Sequence, residues 1–108
     1  MSALSEKLRA APLRREVLEN CPQLGRVAVR QLPAKDFIAL HDSLKDYDTV
    51  GKMQTWVIAS AVDADTGEQV FSESDRDILL DYHMLAAISA MAVDVNGLKA
   101  TPEDAEKN

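Results

Sequence analysis

A single cysteine in 108 residues leaves no partner for an internal disulfide, so a small bridge-stapled secreted fold is excluded. Aromatics are few, with one tryptophan, two tyrosines and two phenylalanines. None is interleaved with the basic residues in the way a single-strand nucleic-acid binder requires. The four glycines form no phosphate-cradling cluster and no GxSxG turn. His41 and His83 fall on separate predicted helices with no Cys/His cluster beside them, which makes a poor zinc site. Cys21 has no histidine near it in sequence to act as its base, and is read as a spectator thiol. The longest apolar stretches, near Trp56–Val62 and Met84–Val93, are too short to span a bilayer. No charged, apolar and small signal segment opens the chain, so a reducing cytoplasm is the expected setting. No catalytic activity, metal or cofactor is expected.

What is present is ordinary globular material, 46% hydrophobic and 28% charged, and its length suits one domain over residues 1–108. The charge is unevenly placed. Residues 1–35 hold seven basic residues against three acidic ones, a balance of +4, while the rest of the chain holds five against fifteen, a balance of −10. A mostly acidic body is a poor match for a phosphate backbone. The basic third suits an acidic partner or the acidic body of a second copy. If copies stack head to tail, Arg14, Arg15, Arg26 and Arg30 are expected to meet Asp77 or Asp81 of the next.

The pattern predicts an α+β fold, predominantly helical, in which an N-terminal β-hairpin is followed by four to five helices. "SALSEKLRAAP" is a short helix with Ser2 or Ser5 as its N-cap and Pro12 as its stop. "REVLEN" and "RVAVRQL" flank "CPQLG" and form the hairpin, with Val27 and Val29 facing one way and Ala28, Arg30 and Leu32 the other. Pro33 suits a first helical residue, and Phe37, Leu40, His41 and Leu44 recur at helical spacing, with His41 on the packed side. "DYDTVG" breaks that helix, and "KMQTWVIASAV" (52–62) is apolar on most of its circumference. "ESDRDILLDY" and "HMLAAISAMAVDV" follow as two helices, or as one bent near His83, which would cap the preceding helix. Asp77 and Asp81 share a helix face there, as do Asp42 and Asp46. Met84, Ile88, Met91 and Val95 make a stripe that Asn96-Gly97 stops. Thr101–Asp104 starts a last turn and residues 99–108 fray.

One stretch, "VDADTGEQVFSESD", invites a calcium reading. Counting from Asp63, Asp65 is third, Gly67 fifth and Ser74 twelfth, whereas a calcium loop needs glycine sixth and a bidentate glutamate twelfth. The segment is better read as a turn, with Ser72 capping a helix and Asp75 reaching back.

Binding features remain. Met53, Trp56, Val57, Met84 and Met91 are the candidate partner-binding residues, because large pliable side chains suit partners of varied shape. The helix over 52–62 is expected to expose part of its apolar face for another chain to cover.

The succession "REVLEN…GRVAVRQLPAKDF", an apolar helix running into D-x-x-T-G-x-x-x-F-S-x-x-D, a two-part helix, Asn96-Gly97-Leu98 and a closing "AEKN" resembles the tail assembly chaperones of long-tailed (siphovirus-type) bacteriophages. The resemblance spans most of residues 3–108. It implies a protein of the bacterial host cytoplasm that binds and solubilises the tape measure protein and helps recruit tail tube subunits. It further implies a self-associating homo-oligomer that is absent from the mature virion, with no nucleic-acid or membrane partner. It implies too a longer frameshifted product, and Glu106-Lys107-Asn108 is compatible with a slippery GAA AAA AAC codon run. The alternative from a different class is a small structural or head–tail connecting protein retained in the particle. A nucleic-acid-binding regulator is a third, weaker alternative.

Overall fold

The computed structural model describes residues 2–10 and 13–97. Its order is α1 (Ala3–Ala10), β1 (Arg15–Cys21), β2 (Gly25–Arg30), α2 (Ala34–Ser43), α3 (Thr49–Ser60), β3 (Ala61–Val62) and α4 (Tyr82–Val95), with 3-10 helices at Leu44–Asp46 and Glu73–Ile78. The fold is α+β and mostly helical, with the hairpin near its N-terminus as expected. Pro12, Leu98, the turn at 101–104, the tail at 99–108 and the run Glu106–Asn108 lie outside the described residues.

Ser2 is the N-cap of α1, its Oγ accepting from the Ser5 N–H at 3.1 Å. The hairpin pairs Arg15 with Arg30 and Leu18 with Val27, with an irregularity between Leu18 and Cys21. Its turn holds Gln23 in the left-handed region, where a side chain is costly. Gln23 Nε2 donates to Asp81 Oδ2 at 3.1 Å and ties that turn to the start of α4.

A third strand was not anticipated. The apolar helix ends at Ser60 rather than running to Val62, and Ala61 and Val62 become β3, antiparallel to β2 through Val29↔Ala61 and Ala28↔Val62. β2 is therefore the central strand, and Val27, Ala28 and Val29 are all buried, so the alternation expected of a one-sided strand does not separate wet from dry. α4 packs on β1, β2 and α3. Val29, Val57, Leu85, Ile88, Ala92 and their neighbours form the core between them.

Other boundaries move for identifiable reasons. Pro33 precedes α2 as its N-cap instead of entering it, and its carbonyl accepts the first helical bond from Phe37 at 2.9 Å. The break before α3 is shorter than "DYDTVG", because Asp48 caps the helix and Thr49 already belongs to it. The segment at 73–82 is a 3-10 helix ending at Ile78, so Asp77 and Asp81 share no helix, and neither do Asp42 in α2 and Asp46 in the first 3-10 turn. His41 is exposed and stacked on Phe37 at 5.9 Å rather than packed inside. His83 stands exposed in the first turn of α4, edge-on to Tyr82, not at the end of a preceding helix. Gly97, at φ +74°, ends α4 where the sequence placed the stop.

The 62–75 stretch is a turn, and its hydrogen bonds say why. Asp63 Oδ1 accepts from the N–H groups of Thr66 at 2.9 Å and Asp65 at 2.8 Å, while Gly67, at φ +77°, closes the reversal by donating to Asp63 O at 2.8 Å. Asp75 Oδ2 accepts from the Ser72 N–H at 2.8 Å, which is the reach-back expected at that helix start. The Thr66 and Asp65 N–H groups hold the Asp63 carboxyl below the ordinary aspartate value of 3.8. A carboxyl lowered by folding stabilises the fold fully above its unfolded pKa, and that contribution disappears as pH falls through the lower folded value. Asp63→Asn is therefore expected to flatten the acid side of the stability profile, with urea midpoints compared from about pH 6 to about pH 3. An unchanged acid slope would remove this role from Asp63.

Candidate functional site

α3 and α4 are both set by aspartate caps. Asp48 Oδ1 accepts from Gly51 N–H at 2.8 Å, and Asp81 Oδ1 from Met84 N–H at 2.8 Å. The Met84 N–H, with the Gln23 amide, holds the Asp81 carboxyl below its ordinary value. No side chain is accommodated at position 51, since a Cβ there would lie 2.9 Å from two Tyr47 carbons. Gln54 Nε2 donates to Arg76 O at 3.1 Å and to Leu79 O at 2.9 Å, which fixes the link that leads into α4.

Away from the sheet these two helices leave an apolar groove of about 860 Å³. Thr49, Lys52, Met53 and Trp56 line it from α3, at steps of three and four that place them on one face. Ala86, Ala87, Ala90, Met91 and Val93 line it from α4. The alanines make the groove possible, because their short side chains keep that wall low while Trp56, 5% exposed, closes the floor. Lys52 and Asp94 supply opposite charges among the lining residues. The volume lies within the roughly 300–1,000 Å³ range of ligand-binding clefts.

Of the residues singled out from sequence, Met53, Trp56 and Met91 meet in this groove. Val57 and Met84 do not: both are buried in the core, and Val57 has no exposed surface. The expected exposed face of α3 is thus reduced to the strip through Met53. Ala86, Ala87 and Ala90 were missed, and their only sequence signal was small residues at helical spacing beside Met91. The charged set is dispersed. Arg14 pairs with Glu16 at 3.3 Å, Arg26 with Asp65 at 2.8 Å and Glu19 at 3.3 Å, and Arg30 Nε donates to Ala59 O at 3.1 Å. Arg15 is exposed beside Gly67, Asp77 is exposed and Asp81 serves as a cap. Exposed ion pairs like those of Arg14 and Arg26 are screened by water and add little to stability.

Reactive side chains do not converge on the groove. Cys21 is buried at the end of β1, and burial, with Asp81 second, raises its thiol pKa and suppresses the thiolate. Among the described residues no group of three His, Cys, Asp or Glu is placed to hold a metal, and no helix is long and apolar enough to cross a membrane.

The arrangement defines a small α+β domain that carries an apolar, helix-walled groove. No protein-family model matches the sequence, and neither does any curated protein. Among solved structures the chain is similar to the bacteriophage HK97 tail assembly chaperone, with a TM-score of 0.60 and 14% identity, over 87% of this chain and 98% of that one. At that identity the likeness is one of fold.

Proposed function

We propose that this chain is a tail assembly chaperone of a long-tailed bacteriophage, and that its α3–α4 groove takes the apolar face of a helix of the tape measure protein. The observation that carries the reading is the groove itself, set in a fold like that of the HK97 tail assembly chaperone. An amphipathic helix laid in a hydrophobic groove is an established recognition mode. The α4 wall from Ala86 to Asp94 runs roughly 12 Å at about 1.5 Å per residue, room for two to three anchor side chains at helical spacing. Met53 and Met91 adapt to differing anchors, as a long, varied client demands. Binding acts by mass action: occupied apolar stretches leave the aggregation-prone population. The same chaperone helps bring tail tube subunits to the client in the host cytoplasm, and leaves before the tail is complete.

Co-expression with the tape measure protein of the same phage tests this. The tape measure protein is expected to move from the insoluble to the soluble fraction bound to this chain, and finished particles are expected to lack the chain. A tape measure protein that stays insoluble, or a chain retained stoichiometrically in purified virions, overturns the reading.

A further inference from the structure

A second cleft, of about 600 Å³, opens at the end of the hairpin away from its turn, with Leu13, Arg15, Arg30, Val62 and Gly67 among its walls. Arg15 and Arg30 are direct cross-strand partners, so their side chains leave the sheet on one face, where like charges oppose pairing. Among the described residues no carboxylate pairs with either of them. Glu16, also at the cleft, is engaged by Arg14 at 3.3 Å. Arg30 is engaged through Nε alone, which donates to Ala59 O at 3.1 Å. Two guanidinium groups held side by side with donors to spare make a seat for carboxylate oxygens. A nucleic acid running past them would meet Asp63 and Asp65 in the turn that Gly67 closes, so a short acidic run fits better than a long polyanion.

The chain itself supplies such a run. α4 ends in the cap Asn96, whose Oδ1 accepts from Leu32 N–H at 2.8 Å and whose Nδ2 donates to Arg30 O at 3.4 Å. The chain therefore leaves α4 at the Arg30 end of β2, beside the cleft. Further on, Glu103, Asp104 and Glu106 place three acidic residues close together with no basic residue between them. From Gly97 to Glu103 the chain reaches up to about 20 Å, whereas Arg15 stands one strand from Arg30, about 5 Å. Reach is not limiting. A tether this short presents the carboxylates at roughly millimolar effective concentration, which populates even a weak, water-exposed pairing.

We infer that segment 103–106 folds back across the end of the sheet of its own chain and sets carboxylates between the guanidinium groups of Arg15 and Arg30. The contact ties the chain beyond α4 to the open end of the hairpin. It uses neither wall of the α3–α4 groove and holds whether or not that groove takes a tape measure helix.

Nuclear magnetic resonance on the full chain tests the contact from both sides. The Arg15 Nε–H signal, assigned by its loss in Arg15→Gln, is expected to lie downfield in the wild type. In Glu103→Gln/Asp104→Asn/Glu106→Gln it is expected to move to the position of a solvated guanidinium. Conversely, Arg15→Gln should shift the backbone amide signals of 103–106 toward those of a synthetic peptide of residues 98–108. Arg15 is exposed, so circular dichroism is expected to show that variant folded. Adding the peptide to the triple variant should restore the Arg15 signal only near millimolar concentration, as lost tethering requires. An Arg15 signal that is the same in wild type and triple variant overturns the inference. So do wild-type amides of 103–106 that match the free peptide. A wild-type shift that fades on roughly tenfold dilution would place the carboxylates on another molecule and overturn it equally.

Discussion

Ala90→Glu is expected to abolish binding of an amphipathic helix while leaving the fold in place. Ala90 is exposed and lines the groove from α4. Glutamate is nearly as good a helix former as alanine, and its repulsion from Asp94 one turn on costs only about 0.2–0.5 kcal/mol. Folding stability should therefore stay within about 0.5–1 kcal/mol of wild type. Binding is another matter. A helix seated in the groove would have to strip water from the new carboxylate, and an unpaired charge taken out of water costs several kcal/mol. A loss of at least about 100-fold, near 2.7 kcal/mol, is the expected scale. The measurement is built in, since Trp56 is the only tryptophan and lies on the groove floor. Its emission should shift as a helical segment of the tape measure protein is titrated in. Val70→Glu, exposed and outside the groove, is the charge control and should bind like wild type. Equal affinity of the Ala90→Glu and Val70→Glu variants would remove the groove from the mechanism.

Much of the scaffold could be read from residues alone because its causes are local. The stripe of Met84, Ile88, Met91 and Val95 faces the core or its edge, since helical spacing fixes which side chains share a face. Asp63, Ser72 and Gly97 act through bonds and backbone angles confined to their own turns. The misses have distant causes. Ala61–Val62 is too short to show any period, and is a strand only because β2 pairs with it. Trp56 and Val57 are consecutive residues of a helix apolar nearly all round, so nothing local says which faces the groove and which the core; the placement of α4 decides. Asn96 looked like a helix stop and nothing more. Its side chain also accepts from Leu32 N–H at 2.8 Å and donates to Ala92 O at 2.8 Å, joining α4 to the chain beyond β2. The groove was hardest to foresee, because alanines mark it by the bulk they lack.

Arg76→Met is expected to destabilise the fold by about 2–3 kcal/mol, lowering the melting temperature by roughly 10 °C or more. The guanidinium bonds Glu73 through both oxygens at 2.8 and 2.9 Å, Thr55 Oγ1 at 3.0 Å, Tyr47 OH at 3.2 Å and Gly51 O at 3.3 Å, and it lies 4.4 Å from the centre of the Tyr47 ring. These terms differ in weight. Glu73 is largely exposed, so its pair contributes at most about 1 kcal/mol. The ring contact contributes about 0.5–1 kcal/mol. The larger share comes from the half-buried bonds to α3, where charged donors contribute about 1.5–3 kcal/mol and abandoned acceptors lose their partner. Neighbouring terms do not add, which is why the expected total stays near 3 kcal/mol. Arg76→Lys separates charge from shape: an ammonium keeps the charge but cannot reach Glu73, Thr55 and Gly51 at once, so it should recover less than half of the loss. Urea unfolding of the two variants, with a cycle through Tyr47→Leu, measures each part. An Arg76→Lys variant as stable as wild type would mean that charge alone acts here, and that the fork joining the 3-10 helix to α3 is incidental.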